Sequence, residues 1–155
     1  MQVIVGIGEM AISGNIEDSI KTFALASCVA VVAYSSARRI GGMIHIMLPK
    51  PPRKCEEMRS CYYASTGIPY FIDTMCKAYG CLRGELTIRL YGGANSIRTN
   101  DAFNVGRRNV YTVKNILSEM NLKFDNSDTG GNVSRTVELY INNGEIDILY
   151  GNINI

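Results

Sequence analysis

The sequence predicts an α/β fold: a single-domain sandwich of mixed, largely antiparallel β-sheet with two main helices. Short β-branched runs separated by turn residues recur along most of the chain. Apolar residues recur at helical spacing in only two segments. The length of 155 residues suits one domain, and the sequence shows no repeat or linker, so we expect a single domain over 1–155.

The predicted strands are short, and most are joined by tight turns. A polar turn is expected at 13–18 and a break at the prolines of 49–52. A hairpin is expected at Asn143-Gly144, a pair typical of two-residue turns. The strand candidates are 2–8, 20–26, 29–34, 40–48, 85–91, 122–124, 136–141 and 145–150.

Two segments have the periodicity of helices. The first is expected to begin near Ser65 or Thr66, either of which could cap it, and to end at Gly80. Its apolar face is Ile68, Phe71, Ile72, Met75 and Tyr79. The second is expected to begin near Arg108 or Asn109, and its apolar face is Val110, Val113, Ile116, Leu117 and Met120.

Composition excludes several classes of function. A net charge of +2 is too mild to indicate a nucleic-acid partner. The sequence has neither a signal-peptide pattern nor the roughly 18 apolar residues of a membrane span, so we expect a cytoplasmic protein without membrane insertion. Phosphate-binding glycine fingerprints are missing, and we expect no cofactor.

The cysteines number five, an odd count that predicts free thiols instead of a disulfide framework. Their spacing does not match the usual zinc pairs, so we expect no metal site. They are Cys28, Cys55, Cys61, Cys76 and Cys81.

The chain has a single histidine, His45, on a strand that is expected to form a hairpin with the strand after Cys28. If 35–38 forms the loop, Tyr34 pairs with Arg39 and Cys28 lies directly opposite His45. Their Cβ atoms would then be roughly 5 Å apart on one face. A slip of one residue would send the two side chains to opposite faces.

A thiol beside an imidazole is the minimum machinery for nucleophilic attack on an amide. The imidazole can take the thiol proton, form an ion pair that lowers the thiol pKa, and later protonate the leaving nitrogen. Thr22 and Ser27 are the hydroxyls that could orient the base, and position does not choose between them. A structural interpretation also exists, because a lone histidine or cysteine on an apolar strand is often a core residue.

Five blocks recur in the order expected of one known family. They are VGIGE at 5–9, LASCVAV at 25–31 with GGMIHIMLP at 41–49, YGGA at 91–94, VGRRNV at 105–110, and DTGGN at 128–132 followed by Arg135. Together they resemble the signature of the CheD family of chemoreceptor glutamine deamidases. The resemblance covers essentially the whole chain, from about residue 3 to residue 150.

The resemblance implies Cys28 as nucleophile, His45 as general base and Thr22 as third member, on a fold similar to that of bacterial toxin deamidases. The implied reaction converts a protein-bound glutamine into glutamate and ammonia through a thioester on Cys28. We expect the Cys28 N–H to be an oxyanion donor, with Ser27 as a further oxyanion or orienting residue. The implied partners are chemoreceptor cytoplasmic helices and, for some members, a CheC-type phosphatase.

Two positions depart from the family pattern. Ala26 stands where the family more often has glycine, so an alanine would be strained if that position needs a positive φ. The segment 51–61 matches no family block, and the basic excess over 38–59 could steer docking to acidic receptor helices.

Two alternatives to the deamidase stay open. One is a non-catalytic module that docks on chemoreceptors or on a CheC-type phosphatase. The other is a cysteine amidase that acts on a small molecule.

Overall fold

The structure is a computed structural model that describes residues 1–52, 60–95 and 104–153. Within these ranges the chain forms two α-helices and one 3₁₀ helix: α1 (Ala64–Lys77), α2 (Val105–Glu119) and the 3₁₀ helix Arg83–Glu85. The strands are β1 (Gln2–Ile4), β2 (Met10–Ser13), β3 (Ser19–Leu25), β4 (Val29–Ser35), β5 (Ile40–Ile46), β6 (Leu86–Gly92), β7 (Asp125–Thr129), β8 (Val133–Tyr140) and β9 (Ile146–Asn152). None of the described helices is long and apolar enough to cross a membrane.

The described strands form two sheets. The first has five strands in the order β2-β5-β4-β6-β7, and the second has four in the order β1-β3-β8-β9. Strands β1 and β3 pair in parallel, as do β6 and β7, and the other neighbours are antiparallel. The predicted α/β class with mixed, largely antiparallel sheet and two main helices is confirmed.

Two apolar cores lie on opposite faces of the five-stranded sheet. Strand β4 is buried on both faces, which explains why its sequence is a continuous apolar run. Val29, Val31 and Ala33 face α1 and α2 in the first core. Ala30 and Val32 face the four-stranded sheet in the second core. The layers are therefore helices, five-stranded sheet and four-stranded sheet.

The predicted apolar faces of both helices pack on the first core, except that Tyr79 lies beyond the end of α1 and is exposed. The starts of both helices also differ from the prediction. Helix α1 begins at Ala64, and its N-cap Tyr63 makes no side-chain capping bond. Thr66 instead donates its hydroxyl to the carbonyl of Ser60 and holds the preceding turn. Helix α2 begins at Val105, a few residues before the predicted start. Helix α1 ends at Lys77, three residues before the predicted end at Gly80, which follows the helix with a left-handed φ of 75°.

Two strand predictions are wrong. The segment 122–124 is not a strand, because it is the turn after α2, where Leu122 packs into the first core. The strand follows as β7, whose polar sequence suits an edge that pairs only with β6. At the N-terminus the candidate 2–8 ends early at β1, and β2 was not predicted. Gly8, with a φ of 76°, turns the chain between them.

Gly92, the first glycine of the block YGGA at 91–94, lies against the segment that carries Cys28. Its φ is 101°, and a Cβ added there would overlap the carbonyl oxygen of Cys28. Gly130 has a φ of 80° with open space around it, and Gly84 has open space without a positive φ. Alanine substitution at these three positions separates two energetic costs. At Gly92 it adds a left-handed backbone and a steric overlap, at Gly130 only the left-handed backbone, and at Gly84 neither.

We predict that alanine at these positions lowers the free energy of unfolding in the order Gly92, Gly130, Gly84. Gly84→Ala should change it by no more than about 0.5 kcal/mol. Gly130→Ala should cost about 1–2 kcal/mol for the positive φ. Gly92→Ala should cost more than Gly130→Ala, because it adds the overlap with Cys28. Urea titration measures all three, and equal costs at Gly92 and Gly130 would contradict the predicted contact.

Candidate active site

His45 lies near the end of β5, with only 4% of its surface exposed. Its Nδ1 is 2.7 Å from the Oγ1 of Thr22, which is fully buried on β3. The Thr22 hydroxyl also donates to the carbonyl oxygen of Val5, again at 2.7 Å. The site therefore begins as a chain of three groups, from a backbone carbonyl through a hydroxyl to an imidazole.

The chemistry of this chain fixes the tautomer of His45. A carbonyl oxygen only accepts hydrogen bonds, so the single proton of the Thr22 hydroxyl is directed to Val5. The hydroxyl oxygen must then accept from Nδ1, which carries the ring proton. The Nε2 of His45 is consequently the basic nitrogen, and it is buried with no hydrogen-bond partner among the described residues.

The N-terminal block VGIGE holds both members of this pair. Val5 supplies the carbonyl for Thr22, and the backbone N–H of Gly8 donates to the carbonyl of His45 at 3.0 Å. The N–H of His45 donates in turn to the carbonyl of Glu9, also at 3.0 Å. This positioning segment was missed at the level of sequence, although the block itself was noted.

Cys28 is half-buried and lies one residue before β4. The predicted register of the β4–β5 hairpin is wrong: its loop is 36–39, Ser35 pairs with Ile40, and Ala30 instead of Cys28 lies opposite His45. The shift is two residues, an even number, so Cys28 stays on the same face as His45. The two residues form a diagonal pair, for which backbone separations are typically about 7–8 Å.

The thiol of Cys28 is not hydrogen-bonded to Nε2 of His45 in the described structure. Contacts between a nucleophile and its base are often long in a free enzyme and tighten when the substrate binds. The structure thus brings Thr22 and His45 into direct contact and places Cys28 on their side of the sheet. Their catalytic roles stay predictions.

Ser27 is held by its backbone. Its carbonyl accepts a 2.8 Å hydrogen bond from the side-chain amide of Asn109 on α2. Of the two hydroxyls that sequence left as candidates to orient the base, Thr22 is the one that contacts the imidazole. Asn109 was not predicted as a site residue, and the only signal for it was its place in the block VGRRNV.

The backbone strain expected at Ala26 is not there. Ala26 has no positive φ, whereas Ala24 has a φ of 49°. Ala24 lies in an irregularity of β3, where the register with β8 shifts between Thr22 and Leu25. Strain of this kind is common beside functional groups, since a bulge re-aims the chain that follows it.

Burial controls the charge state of the pair. It raises the pKa of the Cys28 thiol and lowers the pKa of His45 to about 4. Both shifts favour the neutral form, so the resting pair is a thiol and an imidazole instead of the ion pair that sequence reasoning allowed. Because the unfolded histidine titrates near 6.5, His45 lowers the stability of the fold as pH falls from about 6.5 to about 4.

Several sequence predictions lie wholly or partly outside the described residues. These include Cys55 and the part of the basic segment at 53–59, which contains Arg53, Lys54 and Arg59. Within the described basic residues, Arg38 is paired with Glu85 at 2.5 Å. Among the residues that the structure describes, no group of three or more acidic, cysteine or histidine side chains could hold a metal ion.

We predict that alkylation of Cys28 by iodoacetamide is slow at neutral pH and accelerates steadily as pH rises toward 9 and beyond. The reason is that the raised pKa of the buried thiol leaves little thiolate near pH 7. Peptide mass spectrometry would give the rate at Cys28, and a short unstructured cysteine peptide is the reference. A rate plateau on the acidic side of pH 7 would instead reveal a preformed thiolate–imidazolium pair.

Comparison with known proteins identifies the family. A family model described as CheD chemotactic sensory transduction matches residues 47–149. A probable chemoreceptor glutamine deamidase CheD of Syntrophotalea carbinolica is 37% identical, over 94% of this chain and 92% of that protein. The chemoreceptor glutamine deamidase CheD of Bacillus velezensis is 37% identical over 88% and 83% of the two chains. A probable chemoreceptor glutamine deamidase CheD of Methanococcus vannielii is 35% identical, over 98% of this chain and 97% of that protein. The chain belongs to the CheD family.

Proposed function

We propose that this protein is a chemoreceptor glutamine deamidase of bacterial chemotaxis, in which residues 1–155 act as one catalytic domain. The observation that carries the proposal is the unpartnered Nε2 of His45, fixed as a base by Thr22, on the sheet face that Cys28 shares. Relatives that are 37% identical over most of this chain are named chemoreceptor glutamine deamidases or probable ones. The substrate is a glutamine side chain on a receptor's cytoplasmic helices.

Acylation begins when Nε2 of His45 takes the thiol proton of Cys28. The thiolate attacks the carbonyl carbon (Cδ) of the glutamine side-chain amide, and the C–S bond forms as the carbonyl electrons move to oxygen. The backbone N–H of Cys28 stabilises this oxyanion. The imidazolium then returns its proton to the amide nitrogen, the C–N bond breaks, and ammonia leaves a thioester on Cys28.

Deacylation repeats the same proton transfers with water. Nε2 of His45 takes a proton from a water molecule, and the resulting hydroxide attacks the thioester carbon. The C–S bond breaks, and the imidazolium proton returns to the sulfur of Cys28. The products are a glutamate side chain and the resting enzyme, so that atoms and charge balance over the two steps. No cofactor takes part in the proposed cycle.

Thr22 suits a cycle that starts from a neutral pair. Its hydroxyl accepts the Nδ1 proton and so orients the ring of His45, as a carboxylate does in many hydrolases. A hydroxyl carries no charge, however, and therefore does not raise the pKa of the imidazole by Coulomb attraction. His45 consequently stays an unprotonated base throughout the neutral range, in agreement with its lowered pKa of about 4.

The cellular location and the receptor partner follow from the proposed substrate. Receptor glutamines that are deamidated in chemotaxis lie on the cytoplasmic part of the receptor, so we propose that the protein acts in the cytoplasm. The family resemblance is the sole support for a CheC-type phosphatase as a second partner, which stays a prediction. A docking module without catalysis is the competing function, and the experiment below separates the two.

We predict that the purified protein converts specific glutamines of a receptor cytoplasmic fragment into glutamates. Peptide mass spectrometry detects each conversion as a mass increase of about 1 Da, the difference between an amide and an acid. Cys28→Ala should abolish the conversion because the nucleophile is lost. His45→Gln should slow it by roughly 10²–10⁴-fold because the base is lost. Cys76→Ala, which removes another half-buried thiol on α1, is the matched control and should leave the rate unchanged.

Two results would contradict the proposal. Conversion that persists in Cys28→Ala would mean that another group is the nucleophile. Binding of the fragment without conversion, equally strong in Cys28→Ala and the unmodified protein, would favour the docking module.

A further inference from the structure

The side chain of Asn109 joins the ends of the two strands that carry the proposed nucleophile and base. Asn109 is fully buried on α2. Its Nδ2 donates to the carbonyl of Ser27, next to Cys28, and to the carbonyl of Met47, two residues after His45. Both hydrogen bonds are 2.8 Å long. One amide group therefore ties together the end of the β3–β4 connection and the end of β5.

The bond to Ser27 fixes the direction of a second group. The carbonyl of Ser27 and the N–H of Cys28 belong to one peptide, which is trans like every other peptide in the described chain. In a planar trans peptide the C=O and N–H point in opposite directions. Because the carbonyl points at α2, the N–H of Cys28 points away from α2.

The side of the sheet away from α2 is the side of the proposed chemistry. Helix α2 packs through Val113 and Leu117 on the first core. Ala30, which lies opposite His45, belongs to the second core, and Cys28 packs against that core as well. The N–H of Cys28 is thereby directed toward the face on which the thiol and the imidazole lie.

The neighbouring carbonyls are held by the glycine turn, the segment YGGA at 91–94. The N–H groups of Ala94 and Gly93 donate to the carbonyls of Ala26 and Cys28, at 2.7 and 2.8 Å. Helix α2 lies close to this turn because Gly106 has no side chain: a Cβ there would overlap the carbonyl oxygen of Ala94. Asn109 is one turn further along α2. Three successive carbonyls, from Ala26 to Cys28, are thus bonded to the glycine turn and to α2.

An amide is the group that this position requires. Both N–H protons of the Asn109 amide are used by carbonyl oxygens, whereas its Oδ1 has no hydrogen-bond partner among the described residues. A carboxylate at this position could not donate a hydrogen bond to either carbonyl oxygen, and an aliphatic side chain would also leave both carbonyls without a donor. A buried, unpartnered Oδ1 is unfavourable for folding, so the position is better explained by its two donors than by core packing.

We propose that Asn109 is a positioning residue that orients the Ser27–Cys28 peptide so that the Cys28 N–H becomes the oxyanion donor. The inference rests on the proposed function in one respect, namely that Cys28 is the nucleophile. Asn109 itself does not touch the substrate. Its contribution is to stabilise the tetrahedral oxyanion, and it should therefore affect reactions at Cys28 that form an oxyanion and spare those that do not.

Two small reagents separate these reactions without a receptor. Acylation by p-nitrophenyl acetate passes through a tetrahedral oxyanion, forms a C–S bond and releases p-nitrophenolate. Alkylation by iodoacetamide forms a C–S bond with loss of iodide and creates no oxyanion. Asn109→Ala should slow acylation of Cys28 by roughly 10²-fold and leave its alkylation rate close to that of the unmodified protein. Asn109→Ser, which is too short to reach both carbonyls, should behave in the same way and is the second variant if the alanine variant does not fold.

Val113→Ala is the matched control, because Val113 is fully buried on α2 one turn beyond Asn109 and its apolar side chain cannot donate a hydrogen bond to the carbonyls of Ser27 and Met47. It should lower the melting temperature and leave the ratio of acylation to alkylation unchanged. An unchanged ratio in folded Asn109→Ala or Asn109→Ser would overturn the proposal. Acylation of the unmodified protein no faster than that of Cys28→Ala would also overturn it. If the Asn109 variants lower the ratio of acylation to alkylation as expected but the unmodified protein does not deamidate a receptor fragment, the result would count against the proposed function and not against the role of Asn109.

Discussion

The hydrogen bond between Thr22 and His45 joins the two sheets of the sandwich. Thr22 belongs to β3 of the four-stranded sheet and His45 to β5 of the five-stranded sheet, and their 2.7 Å contact crosses the second core. The direction of the single hydroxyl proton is set by Val5, which β1 places beside β3 through their parallel pairing. The base is therefore correctly oriented only when both sheets are packed, so that the proposed chemistry depends on tertiary structure as a whole.

The same packing decides the charge of the site. Little water reaches His45, so the cationic form is disfavoured and the imidazole stays available as a base. Cys28 is only half-buried, which suits a proposed nucleophile that must meet a side chain on another protein. A neutral resting pair avoids the cost of burying two charges without substrate, and charge develops only during acylation, first on the thiolate and imidazolium and then on the oxyanion. Stabilisation of that oxyanion by fixed backbone donors then becomes the main electrostatic task, which gives α2 a role beyond packing.

Much of the fold could be predicted from sequence because it depends on local patterns. The apolar run of β4 and the helical faces of α1 and α2 reflect local sequence patterns. The predicted hairpin between the last two strands also forms, although its loop is 141–145 and only Gly144 within it has a positive φ. The polar edge strand β7 could not be predicted, since its only described pairing is to β6 and it buries little apolar surface. The hairpin register was missed by two residues because the four-residue loop lies at 36–39 instead of 35–38. Arg39 belongs to this loop with a left-handed φ of 51°, a conformation that an arginine in the sequence does not indicate. Asn109 was missed as a site residue because its partners are backbone carbonyls distant in sequence.

The central claim is that Thr22 holds the proton of His45 on Nδ1 and leaves Nε2 as a buried base. Nitrogen-15 NMR of labelled protein tests it most directly, because the chain has only one histidine and its two ring nitrogens can be assigned without ambiguity. The account predicts a protonated Nδ1 and an unprotonated Nε2 at neutral pH, with titration near the lowered pKa of about 4. A majority tautomer with the proton on Nε2, or titration near the ordinary value of about 6.5, would contradict it.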